Sequence, residues 1–254
     1  MKSAFFALLA AFSVPLFANA HPASHARTAT PPYVTAAIND AARKADKHDD
    51  ARRQMAAVMT FAKVKQGDKV VELAPGSGYW TRVFSAVVGP KGHVYTIWPD
   101  EFAKYSSKSL AQWKKLAATP HYRNVSLLQQ PAAQFDVPGS VDLVFTSQNY
   151  HDYHNMIDDM AVFNKKVFAA LKPGGLFVII DHVAPAGSGA KDTDTLHRID
   201  PALVKKEVEA VGFEFDGASD ALRNPHDPHT ATVFDKSIRG HTDQFIYRFR
   251  KPAN

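Results

Sequence analysis

The sequence predicts an α/β fold with a mostly parallel central sheet. Short apolar runs of strand type alternate with longer segments of helical periodicity along most of the chain. One of these runs, 70–73, is followed directly by a loop that contains Gly76 and Gly78. In doubly wound α/β folds the first strand delivers such a loop to the carboxyl edge of the sheet, where small residues let a ligand approach the backbone.

The predicted elements follow one another in the order that this fold requires. After a polar arm at 21–32, apolar residues at helical spacing predict helices around 34–42 and 51–61. The first strand and its loop precede a helix at 79–88, which the Gly-Pro-Lys-Gly turn at 89–92 ends. The remaining predicted strands are 93–98, 125–129, 141–146, 176–180, 213–215 and 244–250, and the remaining predicted helices are 107–118, 155–171 and 201–211.

The first twenty residues predict export. Lys2 precedes an apolar segment at 4–17 and then Ala-Asn-Ala at 18–20, which is the small-x-small pattern of a signal-peptide cleavage site after Ala20. The apolar segment is short for a membrane span, which needs about 20 residues, so we expect a periplasmic or secreted protein without a membrane anchor. The chain has no cysteine, which excludes disulfides as a source of stability.

The charge pattern does not predict a nucleic-acid partner. The 30 Lys and Arg residues exceed the 25 Asp and Glu residues by only five, and the basic residues form no dense run with interleaved aromatics. A small-molecule substrate is therefore the expected partner, and the pattern leaves the oligomeric state open.

The loop after the first strand carries the most specific pattern in the chain. The acid Glu72 is followed at alternate positions by Ala74, Gly76 and Gly78. This spacing resembles motif I of the class I S-adenosylmethionine-dependent methyltransferases, with Ala74 in place of the usual first glycine. Leu-Lys-Pro-Gly-Gly at 171–175 is similar to the turn that precedes the fifth strand of that family.

Two further segments narrow the resemblance. Gly-Ser-Gly-Tyr-Trp-Thr at 76–81 and Asn-Tyr-His-Asp at 149–152 resemble a group of exported, predicted methyltransferases. The resemblance implies a three-layer, Rossmann-like fold over 50–254, following an N-terminal arm and helix at 21–49. It also implies a seven-stranded sheet with an antiparallel C-terminal hairpin, and S-adenosylmethionine as cofactor. The residues that it places around this cofactor are Glu72, Ala74, Gly76, Gly78, Tyr79, Trp98, Gln130 and Asn149.

Two of these positions depart from the family pattern. Trp98 ends the second strand, where the family has an acid for the ribose hydroxyls, and Gln130 follows the third strand, where an acid often lies near the adenine. Trp98 either stacks on the adenine or packs in the core, and Asp100 or Glu101 is an alternative ribose ligand. Gln130 either hydrogen-bonds the adenine or belongs to a surface turn.

The candidate catalytic residues follow the fourth and fifth strands. His151, Asp152 and His182 are expected at the carboxyl edge, with His197, Arg198 and Asp200 as further pocket candidates. Methyl transfer to a hydroxyl or amine needs a proton acceptor, so we assign His151 as the base and Asp152 as the residue that orients it. The alternative is a polar helix start with solvent-facing histidines, in which Arg198 and Asp200 form an ion-paired helix start.

Other functions remain open at this point. The exported location separates the protein from cytosolic S-adenosylmethionine, so one alternative is a noncatalytic protein that binds a nucleoside or another small ligand. A second alternative is a metal-assisted hydrolase or lyase at the histidines. Their spacing matches no specific metal motif, and so we predict no metal ligands. Gly-Ser-Gly-Tyr at 76–79 also resembles the protein-isoaspartate repair methyltransferases.

Overall fold

The structure, a computed structural model, describes residues 29–253, and within that range the side chains of all residues except Lys104 and Ser106. The predicted signal peptide at 1–20 and most of the predicted arm lie outside the described residues. Within the described range, no helix is long and apolar enough to cross a membrane.

Seven strands form one sheet in the order β3-β2-β1-β4-β5-β7-β6. Strands β1 to β5 are parallel, whereas β7 pairs antiparallel with both β5 and β6. The predicted α/β fold with an antiparallel C-terminal hairpin is therefore confirmed. The strands are β1 Lys69–Leu73, β2 His93–Pro99, β3 Val125–Gln130, β4 Val141–Ser147, β5 Leu171–His182, β6 Glu214–Ser219 and β7 Gln244–Arg250.

Helices cover both faces of this sheet. The helices are α1 Pro32–Ile38, α2 Lys47–Asp50, α3 Met55–Ala62, α4 Tyr79–Val88, α5 Asp100–Ala117, α6 Tyr150–His154, α7 Met160–Ala170 and α8 Pro201–Glu209. Successive residues of a strand point to opposite faces, and so Val70 packs with α1, α3 and α4 while Val71 packs with the α6 to α8 layer. Two apolar cores, one on each face, hold the three layers together.

The structure corrects several helix boundaries, among them the end of α1 at Ile38 and the start of α5 at Asp100. The predicted helix at 155–171 begins only at Met160, because the Asp159 carboxylate accepts the N–H of Ala161 and caps the helix there. The preceding residues Tyr150–His154 form a separate short helix, α6. The predicted helix at 51–61 begins at Met55, since Gln54 has a φ of 48° and interrupts the helical path.

The strand order places the functional edge between β1 and β4. Strand β1 connects through α4 to β2 on one side, whereas β4 lies on its other side and continues to β5. The chain segments that follow β1 and β4 leave the sheet in opposite directions, so a crevice opens outside the carboxyl ends of these two strands. The segments that follow β1, β4 and β5 all reach this crevice.

Candidate active site

The loop after β1 turns sharply through left-handed backbone conformations. The φ angles of Ala74, Gly76 and Gly78 are 50°, 56° and 79°. Glycine adopts this region freely, but for alanine it costs about 1–2 kcal/mol. A Cβ atom on Gly78 would lie 2.8 Å from the Trp113 ring, whereas one on Gly76 would meet nothing within 4 Å. Gly78 is therefore required for packing, and Gly76 borders open space.

This open space is a cleft of about 180 Å³ between the loop and the segment after β4. We call it the motif cleft; it is lined by Arg53, Glu72, Leu73, Ala74, Pro75, Gly76, Ser77, Tyr79, Trp80, Ser147, Gln148 and Asn149. The Asn149 amide donates to the carbonyl oxygen of Ala74 at 3.2 Å and so joins the two walls. The structure thus brings five of the predicted cofactor residues (Glu72, Ala74, Gly76, Tyr79 and Asn149) to one cleft.

Arg53 lies in this cleft and was missed by the sequence analysis. Its guanidinium carbon is 4.6 Å from the centre of the Tyr79 ring, and the Tyr79 hydroxyl donates to Asp50 at 2.7 Å. The buried Nε of Arg53 has no hydrogen-bond partner, and the side chain forms no ion pair among the described residues. Burial and the neighbouring charge of Arg52 lower the pKa of Arg53. A desolvated, unpaired cation in a cleft is suited to bind an anionic group of a ligand.

Glu72 is buried below the loop at 2% exposure. The Thr81 hydroxyl donates to its carboxylate. Burial raises the pKa of Glu72 to about 8, although the Thr81 hydrogen bond and the charge of Arg82 oppose the shift. The side chain therefore holds a proton near neutral pH and anchors the strand end to α4.

Two predicted cofactor residues lie elsewhere. Trp98 is 3% exposed and packs in the apolar core, which leaves its ring unavailable for stacking on an adenine. The Gln130 side chain accepts the N–H of Asp136 at 2.8 Å, as expected for the surface-turn alternative. Neither residue lines the motif cleft, and the cofactor role of both positions stays a prediction. The Gln130 side chain is satisfied by its local turn, whereas the buried Nε1 of Trp98 has no hydrogen-bond partner among the described residues.

The second half of the site is a group of side chains that we call the histidine cluster: His151, Asp152, Asp181, His182 and His197. His151 is 2% exposed, and its Nδ1 lies 2.8 Å from the Asp181 carboxylate, which also accepts the backbone N–H of His151. Its Nε2 lies 3.2 Å from Asp152. Burial lowers the pKa of His151, but the charge of Asp181 and the hydrogen bonds to both carboxylates outweigh it and raise the pKa to about 10.

These contacts correct the assigned roles. Asp181, at the end of β5, orients His151, because β4 and β5 are parallel neighbours and end at the same edge. Asp152 was predicted to do this but contacts the other ring nitrogen. The two carboxylates favour the doubly protonated form of His151, and in that form neither ring nitrogen has a lone pair that could accept a proton from the substrate. This arrangement does not favour His151 as the base, and the assignment stays a prediction.

His182 has the opposite character. It is 7% exposed, and its Nδ1 lies 2.8 Å from the Thr242 hydroxyl. Burial and the nearby positive charge of His151 lower the pKa of His182 to about 4, although Asp181 opposes the shift. The imidazole is therefore neutral, with its Nε2 making no hydrogen bond among the described residues.

His197 reaches the cluster from a distant segment. Its Nδ1 lies 3.3 Å from the Nε2 of His151 and 3.5 Å from Asp152. The neighbouring Arg198 is fully buried, pairs with Asp227 at 2.8 Å and donates to the carbonyl oxygen of Val183. Arg198 thus pins the returning loop beside the end of β5. Asp200 accepts the N–H of Ala202 and caps α8. Because Arg198 pairs with Asp227, no ion pair joins Arg198 to Asp200 among the described residues.

A family described as a methyltransferase domain matches residues 64–227. The chain belongs to this methyltransferase domain family. The matched range contains the motif cleft loop, α6, the end of β5 and His197. Arg53 and α1 to α3 precede it.

Individual relatives show the same family resemblance at lower coverage. A protein-L-isoaspartate O-methyltransferase from Ignicoccus hospitalis is 34% identical over 93 residues, which are 34% of this chain and 41% of the relative. A demethylmenaquinone methyltransferase from Listeria monocytogenes is 25% identical over 137 residues, 52% of each chain. The chain spans about half the length of the curated relatives that it matches.

A solved structure has the same fold over nearly all of its length. The S-adenosylmethionine-dependent methyltransferase from Aquifex aeolicus superposes with a TM-score of 0.55 at 17% identity. The superposition covers 86% of this chain and 96% of that structure. At this identity the likeness concerns the fold, which is that of a class I methyltransferase.

Proposed function

We propose that this protein is a methyltransferase that uses S-adenosylmethionine and methylates a small hydroxyl or amine acceptor in the periplasm. The observation that carries the proposal is the motif cleft: a family-typical loop, Asn149 and an unpaired Arg53 meet at the switch point of a methyltransferase fold. The periplasmic location rests on the predicted signal peptide alone.

The residues of the cleft fit the amino-acid end of the cofactor. Arg53 would bind its carboxylate, because a guanidinium without an ion pair gains a charge-assisted hydrogen bond there. Asn149 and the loop from Ala74 to Gly76 would border the rest of the cofactor, and Gly76 leaves room for the cofactor to approach the backbone closely. When bound, the cofactor supplies an electrophilic methyl group on its sulfonium.

The histidine cluster would receive the acceptor. His182 is the proposed proton acceptor, since Thr242 fixes its Nδ1 and leaves Nε2 for the substrate. The carboxylate of Asp181 holds His151 and the backbone of His182 in place. A small acceptor suits this arrangement because these three side chains are nearly buried.

Calorimetric titration of the purified protein with S-adenosylmethionine and S-adenosylhomocysteine tests the proposal. Gly76→Val places a branched side chain in the open space of the cleft at a positive φ. Gly67→Val is the matched control, since Gly67 has a φ of 85°, meets nothing within 4 Å and lies outside the cleft lining.

We expect micromolar binding in the wild type and in Gly67→Val, and loss of binding in Gly76→Val. If the folded wild type binds neither compound, the proposal fails. The second candidate, a noncatalytic protein for another small ligand, would then be preferred, since Trp98 and Gln130 do not line the cleft.

A further inference from the structure

Three ligand-type atoms of the histidine cluster form a closed triangle. They are the Nε2 of His151, the Nδ1 of His197 and the Oδ1 of Asp152. Their separations are 3.2 Å, 3.3 Å and 3.5 Å. The two imidazole rings are nearly perpendicular, at 89°, with centres 5.3 Å apart, so they meet through their nitrogens rather than by stacking. We call these three atoms the ligand triangle.

We propose that the ligand triangle binds a divalent metal ion, with zinc preferred. A point equidistant from three atoms at these separations lies about 1.9 Å from each, slightly less than the ~2.0–2.2 Å of zinc bonds to histidine nitrogen and carboxylate oxygen. The three separations therefore fit a zinc ion just outside the plane of the triangle. Two imidazoles and one carboxylate favour zinc or iron over magnesium, which prefers oxygen ligands.

The surroundings of His151 support the proposal. Histidine ligands usually donate their other ring nitrogen to a carboxylate, which fixes the tautomer and the ring orientation. The Nδ1 of His151 meets this requirement at 2.8 Å from Asp181, a carboxylate that is itself 0% exposed. Asp181 also accepts the N–H groups of His151 and His182, so it cannot turn away. The ring orientation that brings Nε2 of His151 to the triangle is thereby fixed, and a bound metal ion would displace the proton that this nitrogen carries beside Asp152.

The outer side of the triangle is accessible. The side chains of His197 and Asp152 are 30% and 23% exposed, whereas that of His151 is 3% exposed. Three protein ligands with one open side are typical of a catalytic zinc site, in which water or substrate takes the fourth position. A hydroxyl acceptor bound there would become more acidic, close to His182.

The site is held together without the cofactor, and the proposal does not depend on S-adenosylmethionine. His197 has a φ of 55°, and the Arg198–Asp227 pair and the parallel bridge between Val183 and Ile199 keep its segment beside β5. A strained residue held next to a buried histidine by neighbours on both sides is consistent with a selected ligand position.

Titration of untagged, chelator-treated protein with zinc chloride and with magnesium chloride tests the site. His197→Asn removes one ligand and introduces a residue that tolerates positive φ. His154→Asn is the matched control, because His154 lies three residues from His151 but contacts Glu207 at 3.1 Å instead of the triangle. Asp152→Ser is a second ligand variant, and circular dichroism checks the fold of each protein.

We expect one zinc ion per chain and no magnesium binding. Zinc affinity should fall by more than about 100-fold in His197→Asn and Asp152→Ser, since loss of an outer-shell partner alone costs about 10- to 100-fold. His154→Asn should bind as the wild type does. The absence of zinc binding by the wild type, or equal affinity in folded His197→Asn, would overturn the proposal; neither result bears on cofactor binding.

Discussion

The motif cleft and the histidine cluster lie at the same edge of the sheet, yet they are built in different ways. Most of the cleft comes from one continuous stretch, Glu72 to Tyr79, whose backbone forms the wall. The cluster consists of side chains from α6, β5 and a loop 46 residues from His151. The cleft is local and open to ligands, whereas the cluster is mostly buried and depends on tertiary structure. Substitutions should therefore affect binding in the first region and stability in the second.

The largest effect is expected at Asp181. Asp181→Asn leaves the protonated His151 without its buried carboxylate and replaces one acceptor oxygen with a donor. Loss of one partner of a buried ion pair costs about 3–5 kcal/mol. Chemical denaturation should show this loss in the free energy of unfolding. Asp152→Asn, at a partly exposed carboxylate, should lower the free energy of unfolding by less than about 1 kcal/mol. Equal losses in the two variants would contradict the view that Asp181 is the carboxylate that holds His151 in place.

The next effect is expected in the cleft. Arg53→Met should weaken S-adenosylhomocysteine binding by about 10- to 150-fold, since a hydrogen bond to a charged group contributes about 1.5–3 kcal/mol. The free energy of unfolding should change little. Arg52→Met is the control, because Arg52 pairs with Asp49 and does not line the cleft. Calorimetry on both variants measures the two affinities. An equal loss of affinity in both variants would indicate a general charge effect and contradict a specific contact with Arg53.

The smallest effect concerns pH. The pKa of Glu72 is about 8 in the folded protein and 4.5 when unperturbed. Between these two pH values the folded state therefore binds a proton that the unfolded state has lost. Its contribution to stability is complete below pH 4.5 and is lost as the pH rises to about 8. From pH 4.5 to 8, the stability of Glu72→Gln should rise relative to that of the wild type by at least about 1 kcal/mol. Denaturation at both pH values measures this, with exposed Glu209→Gln as the unchanged control.

The same contrast explains how much the sequence could predict. The glycine loop and the strand Gln244–Arg250 are local patterns, and the structure contains both where they were expected. The predicted turn at 171–175 is instead the first part of β5, which begins at Leu171. The convergence of His151 and His197 was considered only as one possibility, because it depends on a loop anchored by the buried Arg198–Asp227 pair. No short-range pattern encodes that anchor.

Arg53 and Trp98 show the same limit of sequence patterns. Arg53 lies in a segment that the sequence pattern described only as a covering helix, and its place over Tyr79 depends on how that segment packs against α4. Trp98 was judged by its position at a strand end, whereas its burial depends on the neighbouring helices. Position along the chain predicts which edge a residue reaches, but packing decides whether it faces the ligand.

A crystal structure of the protein with S-adenosylhomocysteine would test the central claim most directly. We predict that the homocysteine carboxylate pairs with Arg53, that the ligand passes Gly76 and Asn149, and that its sulfur faces the histidine cluster. Ligand bound at another surface, or bound in the cleft with Arg53 turned away and the histidine cluster out of reach of the sulfur, would contradict the account.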